Sequence, residues 1–337
     1  MKQLKMAIAA VLAVSLTLSL TGCGKTAASS ADASSSAYKY GKLDIQALGG
    51  GVCGAPAYIA KEKGFFAKEG LDVTLVSGTF ETQKDGLASG RYTVANGDFQ
   101  FFPAVQQGLD LKVIGGLHKG CIKLVVPPNS PIKTAKDLKG KKIGVDEIGG
   151  TPMAITSVVL ANAGIDPQTG VQWKPFPLDQ LTQAVAKGEV DAFAAWDPFG
   201  TLAVQNNGYK VLTDIATDPL FAGRTCCFLY ASTKQVQKNP QKIAAIARAY
   251  QEADNWLAQN PEEAAKILID KKYVATTDLK LVTSQLKTYD FNFTTNGAKD
   301  DVNYFVKQLN KTGFLKGGTA PDRFTQGVYY DVFNGTK

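Results

Sequence analysis

Residues 47–66 read ALGGGVCGAPAYIAKEKGFF. Gly49, Gly51 and Gly54 spell a literal G-x-G-x-x-G, after the alternating run LDIQAL and before an amphipathic helical pattern. A dinucleotide pyrophosphate can sit on the helix N-terminus that follows such a turn. A Rossmann site also needs an acidic residue at the end of its second strand, to hold the ribose. The next strand candidate, LDVTLVSG, ends in Ser77 and Gly78 and carries its acid, Asp72, at the start. The glycines therefore read as a turn that brings a backbone close to some other ligand, with Ala55-Pro56 opening the next helix.

Working outward, short β-rich runs alternate with helical patterns to about residue 230: LDIQAL, LDVTLVS, LKVIGGL, IKLVVP, KKIGVDE, VQWKPF, VDAFAAW, YKVLTDI and CFLYAS. That alternation predicts an α/β protein with parallel sheets. LASGRYTVANGD (87–98) and VAKGEVDAFAAWD (185–197) both run from a helix end through Gly into a strand, which points to two similar halves. The remainder, from KNPQKIAAIARAY onward, has helical spacing and packs back on the first half.

The chain opens MKQLKMAIAAVLAVSLTLSLTGC. Lys2 and Lys5 precede an apolar run too short for a comfortable span, so it reads as an export signal. The closing Leu20-Thr21-Gly22-Cys23 resembles a bacterial lipobox, with Cys23 as the lipidated mature N-terminus. Residues 24–40 are Ser/Ala-rich and lack the apolar groups needed to order themselves, so they form a tether. Export weakens the dinucleotide reading further.

Roughly 300 residues follow the tether, enough for two domains with sizeable cores. The formal charge of +7 falls to +5 without Lys2 and Lys5, and the four arginines (Arg91, Arg224, Arg248, Arg323) do not cluster. No nucleic-acid partner is expected. GVDEIGGT (144–151) has the frame of a P-loop with Gly150 at the lysine position, which removes the main charge for a triphosphate. A glycine turn opening a helix at Thr151-Pro152 can still face an anion with backbone N–H groups, or Thr151 can cap the helix or offer its hydroxyl to a ligand. One histidine and no G-x-S-x-G leave no catalytic constellation.

Besides Cys23 there are Cys53, Cys121, Cys226 and Cys227, with His118 three residues before Cys121. A Cys53–Cys121 disulfide, a soft-metal site using His118, and plain buried thiols are all open. Vicinal Cys226 and Cys227 alternate along a strand, so only one is expected to face a given cleft.

Together these pieces resemble the solute-binding lipoproteins of bacterial importers for nitrate, aliphatic sulfonates, taurine and pyrimidine precursors. PAYIAKEKGFFAKEGLDVTLV, GLDLKVIGG, SPIKTAKDLKGKKIGV and AVAKGEVDAFAAWDPF carry the resemblance, which covers about residues 43–290. It implies a two-lobed periplasmic-binding-protein-like fold (type II), with two crossover strands near 122–126 and 226–232 as the hinge. The organisation it implies is a signal peptide at 1–22, a tether at 23–41, a first lobe from 42–121 and 228–337, and a second lobe from 122–227. The implied cleft draws on Gly51, Cys53 and Gly54; on Gly78 and Thr79; on Asp98, Phe99 and Gln100; on Gly149, Gly150, Thr151 and Met153; and on Trp196 and Asp197. Cys121 and one of Cys226 and Cys227 border it, with His118 beside them, and Arg224 becomes the charged partner for an oxyanion.

The resulting expectation is a lipid-anchored monomer outside the cell membrane, handing a small sulfonate-, taurine- or nitrate-like solute to an ABC permease with a cytoplasmic ATPase. It carries no assigned catalytic residue, cofactor or resident metal. The CCF run resembles a longer cysteine cluster in pyrimidine-synthesis relatives. The alternative is thus a binding protein or enzyme for a thiamine-pyrimidine precursor, or for a cysteine-ligated metal or sulfur compound.

Overall fold

Two five-stranded sheets divide the residues that a computed structural model describes, 38–335. The export signal, Cys23 and most of the tether lie outside that range. The first sheet contains β1 (Lys42–Gln46), β2 (Asp72–Val76), β3 (Tyr92–Asp98), β4 (Leu111–Lys119) and β10 (Thr225–Ser232), in the order β2-β1-β3-β10-β4. The second contains β5 (Ile122–Val126), β6 (Lys142–Val145), β7 (Gln172–Pro175), β8 (Ala192–Trp196) and β9 (Lys210–Asp214), in the order β7-β6-β8-β5-β9.

The sheets are mixed, not purely parallel as the alternation suggested. β1 runs parallel to β2 and β3, and β6 to β7 and β8, but β10 is antiparallel to β3 and β4 and β5 to β8 and β9. The cause is connectivity. A chain that leaves one sheet at its end and enters the other must run against the βαβ strands it joins.

Passage between the sheets occurs at Gly120-Cys121, and again across residues 215–224. The runs 122–126 and 226–232 are ordinary sheet strands beside these passages. Thr225–Cys227, counted above with the second lobe, hydrogen-bond in the first sheet.

Matching halves are visible in the αL glycines that end each helix before a buried strand: Gly90 (φ 78°) before β3 and Gly188 (φ 70°) before β8. β3 and β10 are buried along their whole length, as strands covered on both faces are, with Asn96 and Asp98 the strongly polar residues of β3. The long helix Pro240–Gln259 packs on the helices Ala55–Glu62 and Phe65–Lys68 of the first sheet. The helix Asn296–Asn310 lies on β10 and β4 and also reaches the helix Thr151–Asn162 of the second half.

Candidate functional site

The carboxyl ends of the strands face each other between the sheets, where open α/β folds bind ligands. A cavity of about 170 Å³ lies there, between Leu48–Gly51 and Cys53 on one side and Leu178, Trp196, Asp197 and Phe199 on the other. Larger hollows exist elsewhere, such as one of about 560 Å³ beside Arg323 and Phe324, but it is lined by the amino end of β4 and by no carboxyl end of a strand. Gly51, Cys53, Trp196 and Asp197 are thus brought together as the sequence suggested.

Asp197 anchors the second half's wall. Its Oδ2 accepts from Lys123 Nζ at 2.6 Å and from the Tyr289 hydroxyl at 2.5 Å, and its Oδ1 from Thr201 N and Oγ1 at 2.9 and 2.7 Å. Burial lowers the affinity of the Lys123 amine for its proton, but Asp197 and Asp214 reverse this and leave its pKa raised. Trp196 Nε1 donates to Asp146 Oδ2 at 2.7 Å, while Asp146 Oδ1 is buried without a partner among the described residues.

At the expected anion turn, Gly150 is the N-cap and no side chain caps the helix Thr151–Asn162. Gly149 takes φ 82°, and its N–H meets Met153 Sδ at 3.2 Å. Thr151 does not serve as the cap. Its hydroxyl crosses to the other half, donating to Asp98 and lying 3.0 Å from Gln100 Oε1. Strand tip and helix start therefore close directly on each other, with Asp98 buried and its pKa raised well above the usual carboxyl range by desolvation.

Several expected site residues lie elsewhere. Phe99 is core: it stacks on Phe305 at 4.4 Å and meets Phe102 edge-on, so it cannot touch a solute tail. Arg224 turns to the helix Asn296–Asn310, pairing with Asp301 at 3.0 Å and lying 4.1 Å over the Tyr304 ring. An acid 77 residues onward claimed it, so it is not an oxyanion ligand here. Thr79 accepts from Thr82 N and caps the helix Phe80–Ser89, and Gly78 lines a separate hollow with Tyr58 and Tyr273. Gly54 is a packing position, where a Cβ would strike Leu48 O. His118 sits under the cleft against Tyr289 and Phe291.

All four cysteines of the described residues are buried free thiols, Cys53 and Cys121 included. The strand alternation expected for Cys226 and Cys227 fails. The register of β10 against β4 shifts on either side of Cys227, and this bulge brings their sulfurs to 3.8 Å.

Asp146 and Tyr289 brace the cavity wall through Trp196 and Asp197, Glu147 stands beside Asp146, and all three were missed. Asp146 and Glu147 could have been found as acids at the tip of KKIGVDE, whereas Tyr289 carries no local signal. Burial raises the pKa of Asp146; burial first, then Asp146 and Glu81, raise that of Glu147. A carboxyl whose folded pKa is raised stabilises the fold fully below its unfolded value, about 4, and loses that contribution as pH rises through the folded value. Urea unfolding is therefore expected to show a falling stability component from about pH 4 upward, and Asp146→Asn with Glu147→Gln should reduce its slope, with buried Asp98 still contributing. Equal pH slopes in variant and parent would refute the assignment.

A family model described as NMT1/THI5 like matches residues 54–264. A Bacillus subtilis protein assigned to aliphatic sulfonate binding is 28% identical over 289 residues, 78% of this chain and 84% of the relative. The nitrate/nitrite binding protein NrtA of Nostoc is 27% identical over 253 residues, 67% of this chain and 57% of that longer relative. Among solved structures, the periplasmic aliphatic sulphonate binding protein SsuA of Escherichia coli superposes with a TM-score of 0.69 at 21% identity, over 84% of this chain and 91% of that one. The periplasmic nitrate-binding protein NrtA of Synechocystis PCC 6803 gives 0.70 at 20%, over 87% of each chain. Both structures share the periplasmic-binding-protein fold, and with most of both halves matched by the family model the chain belongs to the NMT1/THI5-like family.

Proposed function

We propose that this chain is the extracytoplasmic solute-binding component of an ABC importer, a monomer tethered by a lipid on Cys23. It holds one small solute between its sheets and delivers it to a membrane permease driven by a cytoplasmic ATPase. Closure is the signal: the Thr151 contacts to Asp98 and Gln100 join the two halves, and a solute that binds only the closed form shifts the population toward it. The cavity, about 170 Å³, is smaller than the roughly 300–1,000 Å³ of drug-sized sites, which restricts the occupant to a few heavy atoms.

The solute's polarity follows from Asp146, whose buried Oδ1 has no partner among the described residues and belongs to a carboxylate that binds Trp196. A buried acceptor calls for a donor. Asp98, Glu147 and Asp197 add to an acidic cleft in which Lys123 is already paired. An aminosulfonate fits both the relatives and these residues, with its ammonium on Asp146 and its sulfonate on the N–H groups that open the helix Thr151–Asn162. An aminopyrimidine presents the same donors to Asp146 and is the second solute class.

Calorimetric titration with taurine, ethanesulfonate, nitrate and 4-aminopyrimidine separates these cases. Taurine is expected to bind at least about tenfold tighter than ethanesulfonate, a difference near 1.4 kcal/mol. Asp146→Asn should erase that preference. Tightest binding of 4-aminopyrimidine would assign the pyrimidine class, and equal binding of ethanesulfonate and taurine would remove the amino group from the proposal.

A further inference from the structure

Beneath the solute cavity, four side chains from distant parts of the sequence converge. His118 near the end of β4, Cys121 in the passage to β5, and Cys226 and Cys227 at the start of β10 are all buried, with ligand atoms within 4.8 Å of one another. Cys226 Sγ lies 3.5 Å from Cys121 Sγ, 3.8 Å from Cys227 Sγ and 3.9 Å from His118 Nδ1. A tetrahedral zinc ion with Zn–S bonds of about 2.3 Å needs sulfur–sulfur edges of roughly 3.8 Å. The set is the right size. Sulfurs in simple contact approach just as closely, so size alone does not decide.

Three further observations do. The bulge in β10 turns both vicinal cysteines toward one point, where a regular strand would separate them. Cys121 takes φ 100°, a region that costs a non-glycine residue on the order of 1–3 kcal/mol and persists where surroundings impose it. Finally, His118 Nε2 is buried without a hydrogen-bond partner among the described residues, so the ring is held by none of the groups around it on that side.

We propose that His118, Cys121, Cys226 and Cys227 form a Cys3His site for a resident soft divalent metal ion, zinc in the first instance. On binding, the three thiols release their protons to solvent and the imidazole ligates as the neutral ring. The ion would tie the first passage between the sheets to the end of the second. Cys53, which contacts Cys121 and Cys227, also lines the solute cavity and links the two sites. The assignment does not depend on which solute is carried.

The test uses the full chain, reduced, stripped with chelator and titrated with Zn²⁺ alone or Co²⁺ alone. One ion per chain is expected, with thiolate-to-cobalt charge-transfer bands and the intense d–d bands of tetrahedral Co²⁺. Cys121→Ser with Cys226→Ser should lower affinity at least about 100-fold. His118→Cys guards against mere misfolding: it should retain the ion and strengthen the charge-transfer bands, having four thiolates in place of three. Substoichiometric uptake by a chain folded by circular dichroism overturns the site. So do cobalt spectra without thiolate bands, or recovery of Cys121 and Cys226 as a disulfide that resists reductant.

Discussion

Asp197→Ala is expected to lower the free energy of unfolding by about 3 kcal/mol, the lower end of the range for breaking a buried ion pair by removing one partner. The Asp197 side chain has no exposed surface, and that of Lys123 is 12% exposed. Truncation leaves the ammonium with only Asp214, 3.3 Å away and partly exposed. It also leaves the Tyr289 hydroxyl and Thr201 N without their acceptor. Tyr289 belongs to the C-terminal part of the chain, so the loss reaches across both halves, and the cavity wall at Trp196–Asp197 should loosen with it. Urea denaturation gives the value, with an unchanged m confirming that compactness is kept. Adding Lys123→Met should recover part of the loss, because the orphaned charge disappears. A double variant as unstable as the sum of the two singles would show that Asp197 acts through its hydroxyl and backbone partners alone.

What the sequence discloses here is whatever depends on near neighbours along the chain. Strand runs, αL glycines after helices and Pro56 or Pro152 at helix starts are local choices, and each forms the element its pattern predicts. The cavity wall at Gly51, Cys53, Trp196 and Asp197 was legible for the same reason, since strand tips and glycine turns are local signals. Pairing over long separations was not. Arg224 is taken by Asp301, Thr151 faces Asp98 across the cleft, and Phe99 turns into the core toward Phe305. The Cys226–Cys227 convergence depends on a bulge set by the antiparallel register with β4, which no pattern within TCCFLYAS encodes.

Gly51→Ala is expected to weaken solute binding by about 5- to 150-fold while leaving the unfolding midpoint nearly unchanged. The backbone at Gly51 is extended, with φ −127°, so alanine adopts it without strain. Its Cβ, however, would lie 2.5 Å from the carbonyl oxygen of Asp197, on the opposite wall. That overlap exists only while the halves are closed, and opening relieves it. The cost of overpacking, typically 1–3 kcal/mol, therefore falls on the closed form and appears as lost affinity, at about tenfold per 1.4 kcal/mol. Gly54→Ala supplies the contrast. Its Cβ would strike Leu48 O and the Tyr58 ring within one half, where no hinge motion helps, so it should lose stability instead. Calorimetric titration and urea unfolding of both variants, with radius of gyration from small-angle scattering, distinguish the outcomes. A Gly51→Ala chain that binds solute like the parent, at the parent's closed radius, would show that closure does not pass through this contact.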